Sequence, residues 1–156
     1  MIDDKFFEKN KELKIYRNFK EYNIKIDKNN KIYSSGISKY DIMIIKLNEE
    51  DNINEYLELD EKIFNNDSEI FNKTKYIYML SFSKYEEPDI SFGNIINKVD
   101  FEIEYNCVSG FCLTGAPILD YYSNKVIGIH KGAHRHKNIK YGTLLRYPLD
   151  ELNKKN

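Results

Sequence analysis

The 156-residue chain has no tryptophan, two cysteines, three prolines and three histidines, and none of the histidines precedes residue 130. Each scarcity excludes something. Cys107 and Cys112 lack the CxxC spacing of zinc and redox sites, and in a reducing compartment they read as free thiols. No apolar run approaches the roughly 20 residues that a membrane helix needs, and the charged start Ile2-Asp3-Asp4-Lys5 opens no secretory signal. The chain therefore reads as an intracellular, cytoplasmic protein with no membrane partner. Its 24 basic and 25 acidic residues leave a net charge of −1, too balanced to supply the basic field that favours nucleic acid. Neither an internal repeat nor a low-complexity linker is present, and the wealth of Lys, Asn and Ile reflects a coding bias.

What is present reads as β structure. A hydrophobic fraction of 41% beside 31% charged residues is that of a globular chain, long enough for one real core and short for two full barrels. Asp4 to Leu13 has the texture of one or two helical turns. Lys14-Ile15-Tyr16 and Tyr22 to Ile26 then alternate apolar and polar residues, as half-buried strands do. Asp27 to Asn30 is a turn before Ile32-Tyr33. The apolar run from Asp41 to Leu47 predicts a strand buried on both faces, and Tyr56 to Leu59 predicts a further short one. Asp60 to Ser68 reads as a solvated connection, so the domain boundary is placed between a partial lobe over 1–68 and a β-barrel over 69–156. Strands are expected at 76–80, 90–96, 101–105, 116–120, 126–130 and 141–146, the close spacing of an all-β barrel or sandwich. A short helix follows from Pro148 to Lys154, with Leu149 and Leu152 on one face.

Two passages carry chemistry. Gly110 to Pro117 reads G-F-C-L-T-G-A-P, and Val126 to Gly132 reads V-I-G-I-H-K-G. With Y-D-I-M-I-I-K-L (Tyr40 to Leu47) and Y-G-T-L-L-R-Y-P-L (Tyr141 to Leu149), they resemble the trypsin-like, chymotrypsin-fold peptidase family. The resemblance runs from about Glu12 to the C-terminus and is strong only at these segments. It implies a double β-barrel whose N-terminal barrel is incomplete, ending in a short helix, and no cofactor or metal. It places Asp41 at the triad acid, Thr114 at the nucleophile, and the N–H groups of Cys112 and Thr114 at the oxyanion hole. In the glutamyl-endopeptidase branch a histidine on the G-I-H-K-G strand contacts an acidic substrate side chain, which implies that His130 lines the specificity pocket.

The departures are chemical. The family's triad histidine lies in a T-x-x-H-V segment about forty residues before the Asp, which falls before Met1. Thr114 replaces Ser, and its methyl group restricts χ1 and crowds the attack path. A threonine nucleophile ordinarily uses its own α-amine as base, which an internal Thr lacks. Cys112 stands where the family has Gly. Viral relatives do use a Cys nucleophile, but directly before Gly, whereas Cys112 is two residues early and followed by Leu113; it reads as an inert thiol. His134 and His136 have no carboxylate at ligand spacing, so no zinc site is expected. With Lys131, Lys137 and Lys140 they read as a solvated basic hairpin tip. The expectation is a catalytically inactive serine peptidase homologue that binds peptide or protein in the old cleft and self-associates through an open sheet edge. Its rival is an active serine endopeptidase whose histidine lies upstream of this chain; a purely structural β domain is the third reading.

Overall fold

A computed structural model describes residues 4–9, 11–17, 20–36, 38–60, 76–82, 87–107, 114–134 and 138–154. The chain divides into two compact units, Met1–Tyr56 and Leu57–Asn156. The expected boundary at 68/69 lies outside the described residues, as does most of the connection from 60 to 68.

The first unit is small and open. Helix α1 (Asp4–Lys9) supplies Phe7, which is buried with Ile24 and Ile26, while Leu13, Ile15, Met43, Ile45 and Ile53 pack against them. Strands β1 (Glu12–Arg17) and β2 (Lys20–Lys25) pair antiparallel, so that Leu13 sits opposite Ile24 and Ile15 opposite Tyr22. The period of two gathers these residues on one covered face and leaves Lys14, Asn23 and Lys25 in solvent. Asp27 ends the hairpin by accepting from the Asn29 N–H at 2.6 Å, while Asn30 accepts from the Asp27 N–H at 2.9 Å. These two bonds hold a 3-10 turn over Lys28–Asn30. Strands β3 (Lys31–Ser34) and β4 (Met43–Ile45) form a second antiparallel pair.

Two sequence expectations are corrected nearby. The run 41–47 gives a strand of only three residues, each half-buried rather than covered on both faces. A two-stranded ribbon offers β4 one neighbour, and Ile42 is already bound to Ser35 through its carbonyl at 2.9 Å and its N–H at 3.3 Å. Tyr56 to Leu59 is no strand either: Tyr56 is 81% exposed, and only Leu59 makes a parallel bridge, to Val126.

The second unit is a closed six-stranded antiparallel barrel in the order β10-β7-β6-β5-β8-β9. Its strands are β5 (Tyr76–Phe82), β6 (Pro88–Val99), β7 (Glu102–Cys107), β8 (Pro117–Asp120), β9 (Val126–Ala133) and β10 (Lys140–Leu144). Inward positions supply one core of Ile77, Met79, Ile95, Ile103, Tyr105 and their neighbours. Helix α2 (Arg146–Asn153) closes the chain; Leu145, Tyr147 and Leu149 pack on that core. Pro148 lies in its first turn, where a missing N–H costs no intrahelical bond. The architecture is the all-β one expected: a closed barrel, two smaller unclosed sheets and a short C-terminal helix.

Close backbone approach sets the barrel's tolerance. At Gly93 an added Cβ would lie 1.7 Å from the Asn106 carbonyl oxygen and 2.7 Å from Cys107 Sγ, whereas at Gly36 it would meet nothing within 4 Å. Gly93→Ala is expected to cost ~2 kcal/mol or more, since overpacking here is against main chain, and Gly36→Ala to stay within about 0.5 kcal/mol. Urea unfolding followed by tyrosine fluorescence checks both. A second expectation follows from closure. A closed sheet has no edge and a two-stranded ribbon has two, so amide exchange over β7 and β9 should be at least ~10-fold slower than over β1 to β4. Uniform protection of both units would contradict it.

Candidate functional site

Thr114 and Gly115 form the turn that leads into β8, and Gly115 adopts φ 96°, a conformation costly for any side-chain-bearing residue. Three bonds fasten this turn to β9. The Gly115 N–H donates to the His130 carbonyl at 2.9 Å, the His130 N–H donates to the Ala116 carbonyl at 2.9 Å, and Thr114 Oγ1 donates to the Lys131 carbonyl at 3.1 Å. The Thr114 side chain is otherwise exposed. Its hydroxyl proton is directed at a peptide oxygen, which cannot take it up as an imidazole does in a catalytic triad.

The His130 side chain is 3% exposed. Its Nδ1 lies 2.5 Å from the hydroxyl of the fully buried Tyr105, and the two rings meet edge to face with centroids 6.0 Å apart. When the imidazole is neutral with its proton on Nε2, Tyr105 donates to Nδ1. Tyr105 is a site residue that the sequence reading missed. The signal was available: Ile103, Tyr105 and Cys107 alternate on β7 and so point inward together, and a buried tyrosine needs a polar partner.

Asp41 belongs to the first unit. It follows a turn over residues 38–40, with φ 55° and its N–H donated to the Gly36 carbonyl at 3.1 Å, and its side chain is exposed. It stands two residues before β4 instead of opening the strand. Main-chain bonds thus bring together Thr114 and His130 of the expected residues. Cys112, Leu113, His136 and Lys137 lie outside the described residues.

The expected solvated basic tip is corrected at its two described lysines: Lys140 is buried, and Lys131 pairs with Glu102 at 3.1 Å. His134 is exposed as expected, with its Nε2 3.2 Å from Glu104 and its ring 5.1 Å from that of Tyr141. The physical reason is the length of β9, which runs on to Ala133 beside β10, so that carboxylates of β7 reach across. Among the described residues no three His, Cys, Asp or Glu side chains are grouped so as to hold a metal.

No protein-family model matches the chain, and no curated protein does. Solved structures do. The serine protease domain of the Sesbania mosaic virus polyprotein is similar with a TM-score of 0.54 and 13% identity, over 81% of this chain and 65% of that one. The tobacco vein mottling virus protease is similar with a TM-score of 0.53 and 16% identity, over 91% of this chain and 64% of that one. The chain thus spans less than two thirds of the length of either. At such identities the likeness is one of fold, and the fold is that of chymotrypsin-like viral proteases.

The buried Tyr105–His130 pair is expected to behave as a structural unit. Tyr105→Phe removes this partner from a buried ring nitrogen, a loss of ~1–3 kcal/mol. In a double-mutant cycle with His130→Leu, the coupling should be about 1 kcal/mol or more, read by chemical denaturation. Additive losses would show that the two side chains do not stabilise one another.

Proposed function

We propose that this chain is a chymotrypsin-fold peptidase homologue that binds extended polypeptide beside Thr114 and does not hydrolyse it. The observation that carries the reading is the Thr114 hydroxyl, which donates to the Lys131 main-chain carbonyl; among the described residues no imidazole accepts it. In a triad, the histidine accepts the nucleophile's proton and returns it to the leaving amine while the Asp orients the ring. His130 is committed to Tyr105 inside the barrel, and Asp41 contributes a positional equivalent only. Loss of the triad histidine costs on the order of 10⁶ in turnover in a bacterial serine protease. Thr114 and Cys112 would remain as the oxyanion-hole positions, while His130, expected on the wall of a specificity pocket, is buried against Tyr105 and offers almost no surface to an acidic side chain.

Binding has its own support. The last β8–β9 pair toward this end is Pro117 with Ile129, yet β9 continues to Ala133. Among the described residues, Gly132 and Ala133 are paired only with β10. The His134 N–H is used on the Ile139 carbonyl at 2.9 Å, and since main-chain groups alternate along a strand, those of Ala133 face the open side. Among the described residues, these outward main-chain groups of Ala133, close to the Thr114 turn, are where an extended peptide adds as a further strand.

A second reading, an active serine endopeptidase whose histidine is supplied by sequence outside these residues, draws support from coverage, because the two viral proteases are longer than the part matched. Self-association through the unclosed sheets of the first unit is a further proposal, since a ribbon edge is a template for pairing.

The test combines a fluorophosphonate probe, a peptide library and labelled-peptide anisotropy. No covalent labelling and no cleavage are expected, with binding that Ala133→Pro weakens ~10-fold, or 1.4 kcal/mol. Labelling that disappears in Thr114→Ala would overturn the inactive reading. A thiol-probe signal that tracks peptidase activity and is lost in Cys112→Ala would replace it with a cysteine mechanism.

A further inference from the structure

The outer face of β5 and β6 is not the surface that strand alternation normally leaves on a barrel. The cross-strand pairs Tyr78 with Phe92, Leu80 with Ile90 and Phe82 with Pro88 all point outward, with Tyr76 and Asn94 continuing the row. No outward position from Tyr76 to Phe82 or from Pro88 to Asn94 is charged. Phe82, Ile90 and Phe92 are each about half exposed. The turn after β8 adds Tyr121 and Tyr122, whose rings meet at 5.4 Å; Tyr121 also meets Phe92 at 6.2 Å, and Tyr122 meets Tyr76 at 6.3 Å. The cluster frames an open pocket of about 280 Å³ with Tyr76, Phe92 and Tyr121 on its walls.

We infer that this face is the self-interface of a twofold-symmetric dimer, a second copy of this chain being its occupant. Area is the first argument. Aromatic side chains present roughly 150–250 Å² each, so the half-exposed rings with Phe82 and Ile90 amount to on the order of 600 Å². That lies at or above the ~300–600 Å² of the largest patch on a typical monomer. With a polar rim it reaches the ~800 Å² per partner of a stable interface. Charge is the second argument. An isologous contact lays the patch against its own copy, and since no outward position from Tyr76 to Phe82 or from Pro88 to Asn94 is charged, no unpaired charge is desolvated when it closes. Shape is the third. Tyr122 is the most exposed ring of the cluster, at 67%, and stands beside the pocket; across the twofold axis, Tyr122 of the second copy enters it. A tyrosine seated in a partner's pocket is the usual form of a binding hot spot. The inference concerns the barrel alone and does not depend on peptide binding near Thr114.

Sedimentation equilibrium of the full chain tests it. The wild type is expected to dimerise at ~10 µM, and Phe92→Glu and Tyr122→Ala are each expected to raise the dissociation constant at least ~10-fold while leaving the circular dichroism spectrum unchanged. Val99→Glu, at an exposed position near the far end of β6, is expected to leave association intact. A wild type that stays monomeric to ~100 µM would overturn the inference and leave the face to a different protein. A dimer that survives both Phe92→Glu and Tyr122→Ala would overturn it in favour of a sheet edge. Should Phe92→Glu misfold, Tyr122→Ala, at a protruding turn residue, decides the matter alone.

Discussion

Strand β10 is the contact on which the rest of the barrel depends. It is five residues long and lies between β7 and β9, so Gly142 is paired with both Ile103 and His130, and Thr143 with both Glu102 and Ile129. Its approach to β9 is close: an added Cβ at Gly142 would lie 2.5 Å from the Ile129 carbonyl oxygen. At the end of the strand, the Leu144 N–H reaches the Phe101 carbonyl at 2.9 Å, and just beyond it the Leu145 N–H reaches the Ile127 carbonyl at 3.0 Å. Without β10 the sheet would open into two raw edges, and α2 would lose the anchor from which Tyr147 and Leu149 reach the core. The same strand fixes β9, and β9 in turn holds the Thr114 turn through the carbonyls of His130 and Lys131. Site geometry here is a consequence of closure.

That chain of dependence separates what was legible in the sequence from what was not. The barrel strands, the tight order of β8 and β9 and the terminal helix follow from local alternation and turn residues, which each segment carries by itself. The run from Asp41 to Leu47 misleads because apolar continuity records side-chain chemistry and not the number of neighbouring strands; β4 has one, and so stays short. Lys131 reads as solvated because its partner, Glu102, is some thirty residues away in sequence. Tyr105 escaped for the same reason. Its inward position could be read, but its bond to His130 exists only once β10 has brought β7 and β9 into one ring.

In the second unit the two groups with the most chemical promise are both held in bonds that stabilise the fold. Thr114 is β-branched, so few χ1 values are open to it, and the rotamer it adopts serves the Lys131 carbonyl. His130 shares a short hydrogen bond with a tyrosine that has no exposed surface. Buried polar pairs of this kind are costly to break because the orphaned partner has no water to turn to. Recruiting either group for proton transfer would first require that cost to be met. Binding an extended strand at Gly132 and Ala133 requires nothing of the kind, and peptide binding without turnover is accordingly the reading that asks least of the geometry.

Polarity around the barrel is divided into sectors, and the division argues about partners. On β7 the outward residues are Glu102, Glu104 and Asn106, two of which meet Lys131 and His134 across β10. On β5 and β6 the outward residues are Tyr78, Leu80, Phe82, Ile90 and Phe92. All three strands obey the same alternation and all contribute to the core, β5 through Ile77 and Met79, β6 through Ile95 and β7 through Ile103 and Tyr105, so burial in the core cannot account for the difference outside. A barrel wall that only had to meet water would gain nothing from two strands of aromatic and aliphatic residues, which leave several hundred Å² of apolar surface hydrated. Removing that surface from water is worth roughly 25 cal/mol per Å². The charged sector, where Glu102 already meets Lys131, has no comparable reason to be covered.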